Sequence, residues 1–167
     1  QVVVDFALAA ADGMTEGGIK PIAKHFPGIG YATADPHGEL VRVSSLNELK
    51  QREFLPFKAA IDAGIPAIMT THAVIPDVTS GEPVTMSPEG IALLRDDLGF
   101  KGLIVTDSLI MGAIADQRTQ SQAAVQALVA GNEVALIAGA QNVDEVQTAL
   151  VAAVADGNRS EKRLKES

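Results

Sequence analysis

The segment KHFPGIGYATADPH, residues 24–37, gathers a lysine, two histidines and an aspartate into an otherwise alanine-rich chain. An imidazole moves protons near neutral pH, a carboxylate attacks or accepts, and a lysine holds polar ligands. Two further apolar runs end in groups of the same kind. PAIMTTH closes on Thr71 and His72, and LIVTD closes on Thr106 and Asp107. Each also has a structural reading. A histidine after an apolar run serves as a hydrogen-bonded core residue, Asp107 reads as the N-cap of a helical turn in DSLIMGAI, and Met111 reads as packing.

Other chemistries fit less well. His25, His37, His72 and Asp35 are metal-ligand types, but no HxH or HxxxH pair places two imidazoles together, so no metal and no cofactor is expected. GIG at 28–30 lacks the third glycine and helix start of a phosphate cradle. The formal charge is −8 and the 13 Lys and Arg are scattered, which argues against nucleic acid as a partner. The chain has no cysteine, which excludes disulfides, thiolate metal sites and a cysteine nucleophile. No apolar run reaches the roughly 18 residues of a membrane span. Gln1 is neither an initiator methionine nor the start of a basic leader, so the chain reads as an excised piece, compatible with a cytoplasmic or a secreted parent.

These groups need elements to position them. Four short apolar runs, 19–26, 66–72, 103–107 and 133–138, predict strands of a parallel sheet buried on both faces. Between them the spacing predicts helices. Ser45 and Glu48 form a capping box before a helix that Pro56 kinks, and Ser87 with Pro88 starts a helix that Gly99 follows. Further helices are expected over 120–130, ending at Gly131, and over 143–156, with Val143, Val146, Leu150, Val151 and Val154 as one stripe. VVVDFALAAADGM, before the first strand, predicts mostly helix. The polar groups then share the carboxyl ends of the strands, the face on which α/β folds build sites. A length of 167 residues suits one domain, 1–167.

KHFPGIGYATADPH resembles the KHFPGHG...DSH signature of glycoside hydrolase family 3, in its β-N-acetylglucosaminidase branch. FLPFKAAIDAGIPAIMTTHAVIP, LLRDDLGFKGLIVTDSLIMGAI and ADGNRSEKRLKES extend the likeness over nearly the whole chain. Two positions depart from the signature: Ile29 replaces its second histidine, and Pro36 stands in place of serine and stiffens the link from Asp35 to His37.

The resemblance implies a (β/α)8 TIM-barrel-type α/β fold, of which this chain holds about four βα units, the second half of the catalytic barrel domain. It implies a retaining hydrolase that releases terminal β-linked N-acetylglucosamine from cell-wall-derived saccharides, as in peptidoglycan recycling. Asp107 maps onto the nucleophile and His37, paired with Asp35, onto the general acid/base. Lys24, His25, His72 and Met111 map onto substrate-binding positions. Retaining glycosidases commonly use two carboxylates; here a histidine oriented by an aspartate takes the second role. Gly28, Gly30 and Gly38 predict a loop that closes over substrate. Alternatives are a β-glucosidase or a glycoside phosphorylase of the same family, a non-catalytic half-barrel, and a doubly wound domain with helices on both sheet faces. A half-barrel exposes strand edges, which predicts pairing of two copies or association with the other half.

Overall fold

A computed structural model of the chain describes residues 2–32, 34–35, 38–139 and 142–157. It opens with helix α1 (Val2–Glu16), whose alanines outweigh its valines in propensity, and none of its residues is buried. Three strands follow at intervals, β1 (Ile22–Phe26), β3 (Ala67–Thr70) and β5 (Leu103–Thr106), forming a parallel sheet in the order β1-β3-β5. β3 and β5 pair in unbroken register from Ala67–Leu103 to Thr70–Thr106. The β1–β3 register slips between Ala23 and Phe26, at the Lys24–His25 cis peptide and beside the cis bond to Pro27. A small second sheet pairs β2 (Val41–Arg42) with β4 (Ala73–Val74).

Only part of this sheet is buried on both faces as the sequence predicts. β3, the central strand, is nearly sealed, whereas β1 alternates and leaves Ile22 45% exposed, because it lies at the edge. The expected fourth strand at 133–138 reduces to one bridge, Val105 to Val134. Beyond it, side chains and loop carbonyls replace the ladder: Leu136 N–H donates to Thr106 Oγ1 and Leu109 N–H to the Leu136 carbonyl.

The helix expected from residue 46 onward is two helices, α2 (Leu46–Gln51) and α3 (Phe54–Asp62), broken at Arg52 and Glu53. Pro56 has no N–H to offer the Arg52 carbonyl and its ring crowds that carbonyl, so the break falls one turn before the proline. Glu48 accepts from Ser45 N–H at 3.0 Å, and Asp77 accepts from Leu46 N–H, which together cap α2. Ser87 Oγ accepts from Gly90 N–H at the start of α4 (Pro88–Ala92), which runs on into a π-turn at 93–97. A short α5 (Gly112–Ala115) precedes α6 (Gln120–Ala130), capped by Thr119 and closed by Gly131 at φ +119°. In α7 (Val143–Ala155) the inward stripe is narrower than expected: Ala153 is buried and Val146 packs inward, while Val143 and Val151 face out.

The larger core joins the sheet to α3 and the turn after α4. Phe26 packs on Phe54 at 5.1 Å and edge-on to Phe57 at 5.3 Å, with Ile68, Leu94 and Ile104 fully buried beside them. Each such side chain contributes about 1.5–3 kcal/mol by leaving water. A second cluster rests on the small face of α6, Ala123, Ala124 and Ala127, against Met86, Leu109 and Ile114. Through Leu109 the second cluster anchors the stretch that follows β5.

Candidate active site

Parallel pairing brings the carboxyl ends of β1, β3 and β5 level. Asp107 N–H donates to the Thr70 carbonyl at 2.8 Å, and Thr71 N–H donates to the Phe26 carbonyl at 2.9 Å. The polar residues that close each strand are thereby set side by side.

The Asp107 carboxylate has two unlike oxygens. Oδ1 accepts from the N–H of Ser108 at 2.8 Å, and Oδ2 faces His25 Nε2 at 3.7 Å. That second separation is too long for a direct hydrogen bond and short enough for a charge on either group to be felt by the other. Both side chains keep some exposure, 29% for His25 and 17% for Asp107. Asp107 does not cap a helix. α5 begins only at Gly112, and its N-cap position is Met111.

Lys24 is exposed on β1 beside His25. The loop after β1 carries Asp35, whose carbonyl accepts from the N–H groups of Gly38 at 3.1 Å and Glu39 at 3.3 Å. Pro36 and His37, on which the expected acid/base falls, lie outside the described residues. The loop is tied back to the protein at Tyr31, whose ring carries the Arg52 guanidinium at 4.0 Å, and Arg52 also donates to Ser44 Oγ at 3.1 Å. Gly28 makes the turn at φ +104°, where a Cβ would stand 2.7 Å from Glu53 Cβ, so a side chain there meets both strain and a clash.

His72 and Met111 are both buried. His72 is 0% exposed, with Nδ1 3.1 Å from Thr85 Oγ1 and Nε2 3.0 Å from the Ser108 carbonyl oxygen. Burial pushes its pKa below the ordinary 6.5, while the bond to Ser108 and the field of Asp107 act in the opposite direction. Neither ring nitrogen is open to a sugar hydroxyl, so the substrate-binding place that the resemblance gives His72 does not match its geometry. Met111 is 8% exposed and packs.

Two polar residues behind the site, Thr85 and Asn132, carry no signal in the sequence. Thr85 lies in a turn between prolines and Asn132 follows a helix-ending glycine, so both read as loop. Among the described residues no three His, Asp or Glu side chains gather to hold a metal ion. A hollow of about 660 Å³ runs along the open edge of β1 and reaches Lys24 and His25, but its walls are largely apolar, drawn from α1, β1 and α3, and it does not include Asp107. His25 and Asp107 meet at the strand ends, and of these two only His25 borders the hollow.

Residues 1–167 match the family described as "Glycosyl hydrolase family 3 N terminal domain". The chain belongs to glycosyl hydrolase family 3. A family relative, the beta-hexosaminidase of Nitrosomonas eutropha, is 34% identical over 154 residues, which are 90% of this chain and 44% of that protein. A solved family 3 glycosyl hydrolase from Mycobacterium smegmatis superposes with a TM-score of 0.94 at 32% identity, covering 99% of this chain and 53% of that one. A family 3 beta-N-acetylglucosaminidase from a Paenibacillus species gives 0.89 at 36% identity, covering 94% and 31%. The chain thus spans about half or less of each of these relatives. Its fold is of the TIM-barrel type, as the sequence resemblance implied.

Proposed function

We propose that this chain carries the nucleophile-bearing part of a retaining glycoside hydrolase that removes terminal β-linked N-acetylglucosamine from cell-wall-derived saccharides. The observation that carries the reading is the Asp107 carboxylate: one oxygen is held by the Ser108 N–H and the other is turned toward His25 at the open strand ends. Relatives named beta-hexosaminidase and beta-N-acetylglucosaminidase support the substrate class.

In this reading Oδ2 of Asp107 attacks the anomeric carbon and the glycosidic bond breaks to the leaving oxygen, which takes a proton from His37. Water then attacks the glycosyl-enzyme with His37 as base, and configuration is retained. Asp35 orients the imidazole of His37, as a carboxylate does in hydrolase triads. Lys24 and His25 hold sugar hydroxyls beside the nucleophile. His25 has a second effect: a positive charge on it would stabilise the Asp107 carboxylate before attack. Residues 1–167 act as one domain, a part of the catalytic barrel.

The test is release of 4-nitrophenol from its N-acetyl-β-glucosaminide and its β-glucoside, with proton NMR of the newly formed anomer. We expect turnover of the former, a β product first, and a fall to background in Asp107→Ala. An α product, or turnover that survives Asp107→Ala, would overturn the mechanism. Preference for the β-glucoside would overturn the substrate class.

A further inference from the structure

Among the buried polar side chains of the described residues, His72 is the titratable one, and its two nitrogens do different work. The Ser108 carbonyl oxygen, 3.0 Å from Nε2, only accepts, so Nε2 carries a proton. In the neutral ring Nδ1 then holds a lone pair, to which the Thr85 hydroxyl donates across 3.1 Å. The tautomer is thus set by its partners. Thr85 is itself held: its carbonyl accepts from Asn132 Nδ2 at 2.8 Å, and Asn132 Oδ1 accepts from Thr70 Oγ1 at 3.1 Å. All four side chains are 0% exposed. A continuous polar chain therefore runs beneath the strand ends and terminates in one N–H aimed at Ser108.

Ser108 joins that chain to Asp107. Its carbonyl is the oxygen His72 holds, and its N–H is the donor to Asp107 Oδ1 at 2.8 Å. Only the two backbone dihedrals of Ser108 separate these groups, so holding the carbonyl narrows the directions open to the N–H. We propose that His72 is a positioning residue for Asp107: its Nε2–H, set by Thr85, locks the Ser108 backbone so that Oδ1 stays engaged and Oδ2 stays turned to the substrate. The catalytic consequence rests on the assignment of Asp107 as nucleophile; the lock itself does not.

Two substitutions separate this role from core filling. His72→Gln places an amide NH2 near the position of Nε2 and keeps a donor for Ser108. His72→Asn places its oxygen near Nδ1, keeps the Thr85 contact and gives up the Ser108 bond. Nitrogen-15 NMR of the imidazole in the wild-type protein should show the neutral Nε2–H form at pH 7, and Thr85→Val should leave the tautomer mixed. Amide exchange at Ser108 should quicken about ten-fold in His72→Asn and return close to wild type in His72→Gln. Turnover should follow, with kcat lower by about 10- to 100-fold in the Asn variant, KM little changed, and recovery in the Gln variant.

An Nδ1–H tautomer at pH 7, or Asn and Gln variants with the same Ser108 exchange, would overturn the proposal. Thermal melting of the two variants guards against misfolding. The arms also separate this proposal from the reaction assigned above. Turnover that survives Asp107→Ala would remove the nucleophile assignment, and the catalytic consequence with it, while the His72 tautomer and the Ser108 exchange would still report on the lock.

Discussion

At the scale of single residues, the lesson of His72 is what burial does to a group that looks reactive in a sequence. Its pKa lies below the ordinary 6.5 chiefly because burial disfavours the charged ring. Above the ordinary value the folded and unfolded chains are both neutral at this residue, and it costs nothing. As pH falls through that value the unfolded chain takes up a proton that the folded chain refuses, so stability is lost, with a slope that approaches about 1.4 kcal/mol per pH unit. The loss stops growing once the folded value is passed. Urea unfolding of wild type and His72→Gln between about pH 7.5 and pH 5.5 measures the difference in slope, since the other histidines contribute equally to both. We expect the variant to lose less stability on acidification. Parallel curves would show that His72 takes up its proton in the folded state.

At the scale of elements, the 133–136 stretch illustrates how an edge segment is held without a full ladder. Arg95, on the π-turn, sets Nη2 2.7 Å from both oxygens of Glu133 and Nη1 within reach of the Phe100 and Gly102 carbonyls. Glu133 Oε2 also accepts from Ile104 N–H at 2.7 Å. The pair is mostly buried, 19% exposed for Arg95 and 7% for Glu133, so removing one charge leaves the other poorly solvated. Glu133→Gln should destabilise the protein by about 3 kcal/mol in chemical unfolding, and the double variant Glu133→Gln with Arg95→Met should recover part of that loss. A change within a few tenths of a kcal/mol would show that the pair is solvated in practice. None of this is legible in the sequence, where Arg95 and Glu133 stand far apart and no local rule pairs them. What is legible is what obeys a local rule. The Ser87–Pro88 start, the Thr119–Gly131 helix and the apolar runs of β3 and β5 each announce themselves through caps, breakers or period. The runs at 19–26 and 133–138 look alike in composition, yet one forms an edge strand and the other a single bridge, because exposure depends on which neighbours pair with them. The site divides the same way. His25 and Asp107 follow from strand ends, whereas Thr85 and Asn132 acquire their roles only through tertiary contacts.

At the scale of the whole molecule, the features that remain unaccounted for lie on one side. The β1 edge has no strand partner among the described residues beyond β3, and the hollow of about 660 Å³ opens along it. Helix α1 buries none of its residues and presents Val3 at 67% and Phe6 at 76% exposure, with Ile19 at 62% and Ile22 at 45% close by in sequence. An unpaired parallel strand beside apolar surface is a template for another chain. Against this stands the net charge of −8, which repels like copies over the distances that salt leaves unscreened. The two terms have opposite salt dependence, and this makes them separable. Sedimentation velocity on the isolated chain across micromolar concentrations should show species heavier than 17.3 kDa, favoured by added salt as the repulsion is screened while the apolar contact is retained. Val3→Lys with Phe6→Lys should return the chain toward a monomer at the same salt, because it places charge on the apolar face without touching β3, β5 or Asp107. A single 17.3 kDa species at every salt and concentration would show that this face needs no cover. Association that ignores the two lysines would place the contact elsewhere on the surface.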